Sequence, residues 1–151
     1  AVEHGCDQVV WLDAIEHRWV EEVGSMNLMF VYGTEESGAR LLTPALTGTL
    51  LPGITRDSML KLAPDLGIPV EEGKISVDEW RSGCESGEIS EVFGCGTAAV
   101  ISPVGHVKGP DVEWNIGDGD PGPISMRLRE SLIGIQYGTH PDRYGWVHKI
   151  V

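Results

Sequence analysis

The chain has 151 residues, 41% of them hydrophobic and 23% charged, which is the profile of one folded domain with enough apolar surface to bury a core. Its formal net charge is −12, and no run of Lys or Arg offers the cationic face that a phosphate backbone or an anionic membrane surface requires. Nucleic-acid and membrane partners are therefore set aside, the more so because no apolar run approaches the ~18 residues of a membrane span.

The cysteines Cys6, Cys84 and Cys95 are widely spaced, and His4, His17, His106, His140 and His148 are scattered rather than clustered. That pattern fits a reduced, cytoplasmic chain without a zinc site. The opening AVEHG, with no methionine and no basic-then-apolar leader, reads as the last turn of a helix closed by Gly5. One helical turn needs the rest of its helix, so the expectation is a C-terminal piece of a longer protein; a processed N-terminus is the alternative.

QVVWLD then reads as a strand, and HRWVEEVGSMNLMFVYG as a long extended stretch with a bulge or hairpin point at Gly24. ARLLTP is a further strand. ITRDSMLKLAPDLG switches to helical spacing, with Ile54, Ser58, Met59 and Leu62 on one face, Pro64 ending or kinking the helix and Gly67 beyond it. IPVEEGKIS returns to strand, VDEWRSGCESG is a short helix, and EISEVFGCGTAAVISPVGHV supplies two strands joined through residues 94–97. DVEWNI is an edge strand of a hairpin. PISMRLRESLIGIQYG is the clearest amphipathic helix, with Ile124, Leu128, Ser131, Leu132 and Ile135 inward and Gly138 as its stop, and GWVHKI closes as a strand. Alternating strands and helices with hairpins between them predict a mixed α/β domain.

Three stretches have the chemistry of an anionic-ligand site. In LLPGITRDS the helix start at Ile54 and Thr55 presents unpaired N–H groups behind a tight Pro52-Gly53 approach, and Arg56 stands where the helix dipole disfavours a cation. Its anion is left open between a ligand and a neighbouring carboxylate. GCGTAAV, Gly94 to Val100, is a run of small residues that forms either a cradle completed by the Thr97 hydroxyl or a tight sheet crossing. In WVEEVGSMNLMF, alternation allows only one of two glutamates to face the core. Glu22 shares its parity with Val20, Met26, Leu28 and Phe30, and is expected to be the buried one provided that Gly24 does not shift the count. A buried carboxylate needs a cation, either a ligand's protonated nitrogen or a structural Arg.

Together, DQVVWLDA, VEEVGSMN, LTPALTGTLLPGITRDS and EVFGCGTAAVISPV resemble, in order and over nearly the whole chain, the branched-chain amino-acid aminotransferases, pyridoxal-phosphate enzymes of the fold-type IV group. The resemblance implies the C-terminal, larger domain of that family over residues 1–151, a mixed sheet curled into a pseudo-barrel with surrounding helices. It implies that Glu22 pairs with the pyridine nitrogen, that Leu51 packs on one face of the ring, and that Ile54 and Thr55 give N–H groups to the cofactor phosphate. By the same resemblance Thr97 adds its hydroxyl to that phosphate, the N–H groups of Thr97 and Ala98 hold the substrate carboxylate, and Ser25 lines the substrate site. Where some relatives carry Cys-x-x-Cys, this chain has Ala99 and Ser102, so no thiol switch is expected there.

The implied activity is transfer of the amino group between leucine, isoleucine or valine and 2-oxoglutarate by a complete, homodimeric protein. The family's lysine, which holds the cofactor covalently and shuttles the proton, lies upstream of DQVVWLDA in that family. None of Lys61, Lys74, Lys108 and Lys149 matches it. The expectation for this chain by itself is inactivity. Two alternatives accompany it: a D-amino acid aminotransferase or aminodeoxychorismate lyase relative, and a non-catalytic domain that binds phosphate or free cofactor.

Overall fold

The computed structural model describes residues 1–150. A short 3-10 turn, Val2–His4, is closed by Gly5 at φ 72, as read from AVEHG. The strands are β1 Val10–Leu12, β2 Val20–Val23, β3 Met26–Tyr32, β4 Arg40–Pro44, β5 Val70–Gly73, β6 Ile89–Gly96, β7 Val100–Pro103, β8 His106–Lys108 and β9 Glu113–Asn115. The helices are α1 Ile54–Asp65, α2 Val77–Ser86 and α3 Pro123–Gln136.

The first seven strands form one mixed sheet centred on β3, and β8 and β9 form a separate antiparallel hairpin. Strand β6 runs along one edge of β3 from Asn27 to Tyr32. The other edge is shared, because β2 takes Met26 and Asn27 while β4 takes Phe30 to Tyr32. Where β2 and β4 diverge, Thr43 Oγ1 donates to the Leu28 carbonyl at 2.7 Å. Among the described residues the only parallel pairing is β4 with β5, and such a pair needs a crossover, here the loop and helix α1.

Alternation along β3 divides the interior into two cores. Met29 and Val31 face one side with Leu41, Phe93, Cys95 and Ile101, covered by Met59 and Leu62 of α1 and by Ile124, Leu128 and Leu132 of α3. Leu28 and Phe30 face the other with Val20, Val23, Leu42, Trp80 of α2 and Trp114 of β9. Three rings knit this second core edge to face: Phe30 to Trp80 at 5.3 Å and Trp80 to Trp114 at 5.5 Å.

Several expectations need correction. A two-residue turn at Gly24 (φ 58) and Ser25 pairs Glu22 with Asn27 and Val23 with Met26. Glu22 therefore shares a face with Asn27 and not with Met26, Leu28 and Phe30, and it is half-buried rather than buried. Asn27, at 5% exposure, is the buried polar residue of this hairpin. Ile54 is 78% exposed instead of lying on the inner face of α1 with Ser58, Met59 and Leu62, because the first helical residue projects beyond the sheet. Strand β6 continues through Gly94 to Gly96, so the connection to β7 is only residues 97–99. GWVHKI forms no strand: the Asp142 carboxylate captures the N–H groups of Tyr144 and Val147, at 3.1 and 2.8 Å, and offers the backbone an alternative to a ladder.

Candidate cofactor site

Strand order brings three separate stretches to one end of the sheet. The β2–β3 hairpin starts β3 there, antiparallel β6 finishes there with Cys95 opposite Asn27, and β4 runs toward it before the chain turns into α1. Between them lies a cleft of about 60 Å³ lined by Glu22, Ser25, Asn27, Leu51, Gly53, Ile54, Thr55, Cys95, Gly96 and Thr97. Pockets that enclose a whole small molecule run to ~300 Å³ or more. This one is a wall against which a ligand can rest, with Leu51 and Ile54 exposed at its rim.

Each lining group has a definite bonding state. Glu22 Oε1 accepts from the Leu51 N–H at 2.8 Å and from Asn27 Nδ2 at 3.2 Å, whereas no donor reaches Oε2 among the described residues. Neighbouring Glu21 is engaged elsewhere, accepting from Thr49 Oγ1 at 2.6 Å. At the start of α1 the cap position is Gly53, which has no side chain to offer. The N–H groups of Ile54 and Thr55 consequently find no acceptor among the described residues, and they lie at the positive end of the helix dipole. Gly53 has an ordinary φ of −65 and is needed for space: a Cβ there would stand 2.3 Å from Asn27 Oδ1.

The third wall is the β6–β7 turn. Thr97 lines the cleft with its hydroxyl unpaired among the described residues, while Ala98, one residue on, is exposed and outside the lining. The turn closes on Val100 at φ 61, a left-handed conformation that costs a β-branched residue roughly 1–3 kcal/mol. Packing of the Val100 side chain against the first core holds it there. Cys95 is 1% exposed, and burial pushes its thiol up to about 12, so it meets the cleft as a neutral group and not as a nucleophile.

The structure settles which anion Arg56 serves. Its side chain is buried, Nη2 donates to the Pro44 carbonyl at 3.0 Å and to the Glu72 carboxylate, and it does not line the cleft. The cation in the first turn of α1 ties that turn to the ends of β4 and β5. None of the four lysines lines the cleft either: Lys61 pairs with Asp57 at 2.7 Å, and Lys74 lies over the Trp19 ring.

Sequence reasoning missed two polar residues, Asn27 and Glu91. Both sit at inward register positions of their strands, in line with Met29 and Val31 or with Phe93 and Cys95, and that parity is the signal that could have found them. Glu91 accepts from the N–H groups of Ile124 and Ser125, at 2.9 and 2.8 Å, at the start of α3. The wall as a whole offers a carboxylate oxygen at one place and uncommitted N–H and O–H donors at another. That donor set suits an elongated ligand with a proton-bearing nitrogen and, further along, an anionic group.

Comparison with known proteins identifies the family. The chain is 63% identical over 150 residues to a branched-chain-amino-acid aminotransferase of Mycolicibacterium smegmatis and 57% identical to that of Mycobacterium tuberculosis strain H37Rv. Each alignment covers 99% of this chain and 40% of the relative, so the chain spans about two fifths of the length of the curated proteins it matches. Among solved structures, a branched-chain amino acid aminotransferase from Escherichia coli superposes with a TM-score of 0.79 at 35% identity, covering 99% of this chain and 45% of that one. The branched-chain amino acid aminotransferase of Thermoproteus uzoniensis, solved with norvaline, superposes with a TM-score of 0.73 at 30% identity, covering 91% and 40%. The family model of amino-transferase class IV matches residues 1–107, which span every strand and loop that lines the cleft, and the chain belongs to that family.

Proposed function

We propose that this chain is the C-terminal, pyridoxal phosphate-binding part of a branched-chain amino-acid aminotransferase. The complete, cytoplasmic protein would transfer the amino group between leucine, isoleucine or valine and 2-oxoglutarate. The observation that carries the reading is the split donor set of one cleft: a free oxygen of Glu22, and apart from it the uncommitted N–H groups of Ile54 and Thr55 with the Thr97 hydroxyl. Pyridoxal phosphate fits that set, since its ring nitrogen carries a proton and its phosphate is a dianion suited to a helix start. Relatives named for the activity, at 57–63% identity, support the substrate class.

Each residue then has a task at a stated atom. Glu22 Oε2 would hold the proton on the ring nitrogen, Leu51 would cover one face of the ring, and the N–H groups of Ile54 and Thr55 with Thr97 Oγ1 would fix the phosphate. When bound, the cofactor supplies the electron sink for charge developing at the substrate α-carbon. Ser25 borders the substrate space, and the N–H groups of Thr97 and Ala98 receive its carboxylate. A lysine and further phosphate and substrate ligands come from a domain N-terminal to this chain. Support for that division comes from the lysines here, none of which reaches the cleft.

The test is turnover of the complete protein with leucine, isoleucine and valine against 2-oxoglutarate, alongside Glu22→Gln. Wild-type turnover and a severe loss in Glu22→Gln with cofactor retained are expected. No turnover of any branched-chain amino acid removes the substrate assignment, and near-normal activity of Glu22→Gln removes the pyridinium role. For the 151-residue chain alone, borohydride reduction in the presence of pyridoxal phosphate is expected to leave no specific lysine adduct.

A further inference from the structure

Asn27 occupies an inward position at the start of β3 and is 5% exposed, so its amide must find partners inside the protein or lose more than an apolar residue would. It finds them on two different segments. One of its bonds runs from Nδ2 to Glu22 Oε1 at 3.2 Å, and the other from Nδ2 to the Leu51 carbonyl at 3.0 Å. The Leu51 N–H closes the ring by donating to the same Glu22 oxygen at 2.8 Å. The amide oxygen faces Gly53, where a Cβ would lie only 2.3 Å away.

This ring has a chemical consequence. Two donors on one oxygen fix the plane of the Glu22 carboxylate, since rotation about its last torsion forfeits both bonds. They also leave Oε2 as the oxygen with free lone pairs. The same amide pins the Leu51 carbonyl, and through Gly53 it sets how closely the start of α1 approaches the hairpin. We infer that Asn27 is a positioning residue of the cofactor site, orienting the Glu22 carboxylate toward the ring nitrogen and locking the Leu51–Gly53 segment beside it. This rests on the cofactor reading of the cleft proposed above.

The experiment compares wild type, Asn27→Ala and Glu22→Gln in the complete protein, each reconstituted with pyridoxal phosphate carrying 15N in the ring. The ring-nitrogen resonance reports its protonation directly, which a merely structural role of Asn27 would leave in place. In Asn27→Ala the resonance is expected to move toward the unprotonated position. The kcat is expected to fall by about 10- to 100-fold, the range for removing a group that orients a site ligand, with KM for the amino acid within threefold. A resonance and a kcat unchanged in Asn27→Ala, with both altered in Glu22→Gln, overturn the inference while sparing the site. An unmoved resonance in Glu22→Gln takes away the cofactor reading itself. Should Asn27→Ala not fold, Asn27→Leu, which keeps the side-chain size and removes the amide, carries the same comparison, and wild-type values there overturn the inference equally.

Discussion

Helices α1 and α3 begin with nearly the same words, Pro52-Gly53-Ile54-Thr55 and Gly122-Pro123-Ile124-Ser125, and each has a glycine at the cap position with no side chain to satisfy the first turn. Their surroundings divide them. At α3, Ile124 is 1% exposed, water cannot reach the N–H groups, and the Glu91 carboxylate on β6 fills the place of an anion. At α1, Ile54 is 78% exposed and, among the described residues, no carboxylate takes the N–H groups of Ile54 and Thr55. Buried backbone donors are paired within the protein almost without exception. A helix start that is left open is the one available to an outside anion, and the sequences of the two starts do not tell them apart.

The sharpest way to break this comparison is at Glu91. Glu91→Ala strands the N–H groups of Ile124 and Ser125 in the core, and each buried donor without a partner costs about 1–3 kcal/mol. A loss of roughly 3 kcal/mol in denaturant unfolding is expected. A value below about 1 kcal/mol would mean that water replaces the carboxylate and that α3 is as open as α1.

A smaller effect is expected on the α1 side, and in ligand retention rather than folding. Thr97→Val in the complete protein removes an exposed, uncommitted hydroxyl, so unfolding without cofactor should be unchanged. Affinity for pyridoxal phosphate should fall by about 2 kcal/mol, the cost of a phosphate oxygen losing a partner inside a site. Equilibrium dialysis measures it, and unaltered affinity would mean that the α1 start holds the phosphate without help from β6.

How much of this was legible in the sequence follows from which interactions are local. The helices announced themselves through periodicity and their closing glycines, and the resemblance located Glu22, Ile54, Thr55 and Thr97, all of which line the cleft. What was missed or left open turned on the count within a turn or on partners distant in the chain. The face of Glu22 turned on a two-residue hairpin that shifts parity, and the anion for Arg56 came from Glu72 on a strand reached only through the β4–α1–β5 crossover. Asn27 and Glu91 read as ordinary strand polarity because Leu51 and Ile124 lie 24 and 33 residues away. The closing GWVHKI has strand composition, but a single aspartate draws its N–H groups into a turn.

Helix α2 supplies the third kind of start and the smallest expected effect. Its cap, Ser76, is local: Ser76 Oγ accepts from the Glu79 N–H at 3.1 Å, and the Glu79 carboxylate takes the Ser76 N–H at 2.8 Å in return. Ser76→Ala should cost about 1 kcal/mol of stability, the usual worth of such a cap. The Ser76 hydroxyl, which also donates to Glu79 Oε2 at 2.7 Å, and the Ser76 N–H together hold the Glu79 carboxyl below its ordinary range, and a folded pKa below the unfolded one adds stability that is present above the ordinary carboxylate range and lost as pH falls through the lowered folded value. The wild-type advantage over Ser76→Ala should thus be full near neutrality and shrink on acidification. Glu91 meets its helix start with two backbone N–H bonds and no hydroxyl, so a pH-independent Ser76→Ala difference would place the worth of the α2 cap in the serine oxygen alone, and not in a carboxylate of the kind that closes α3.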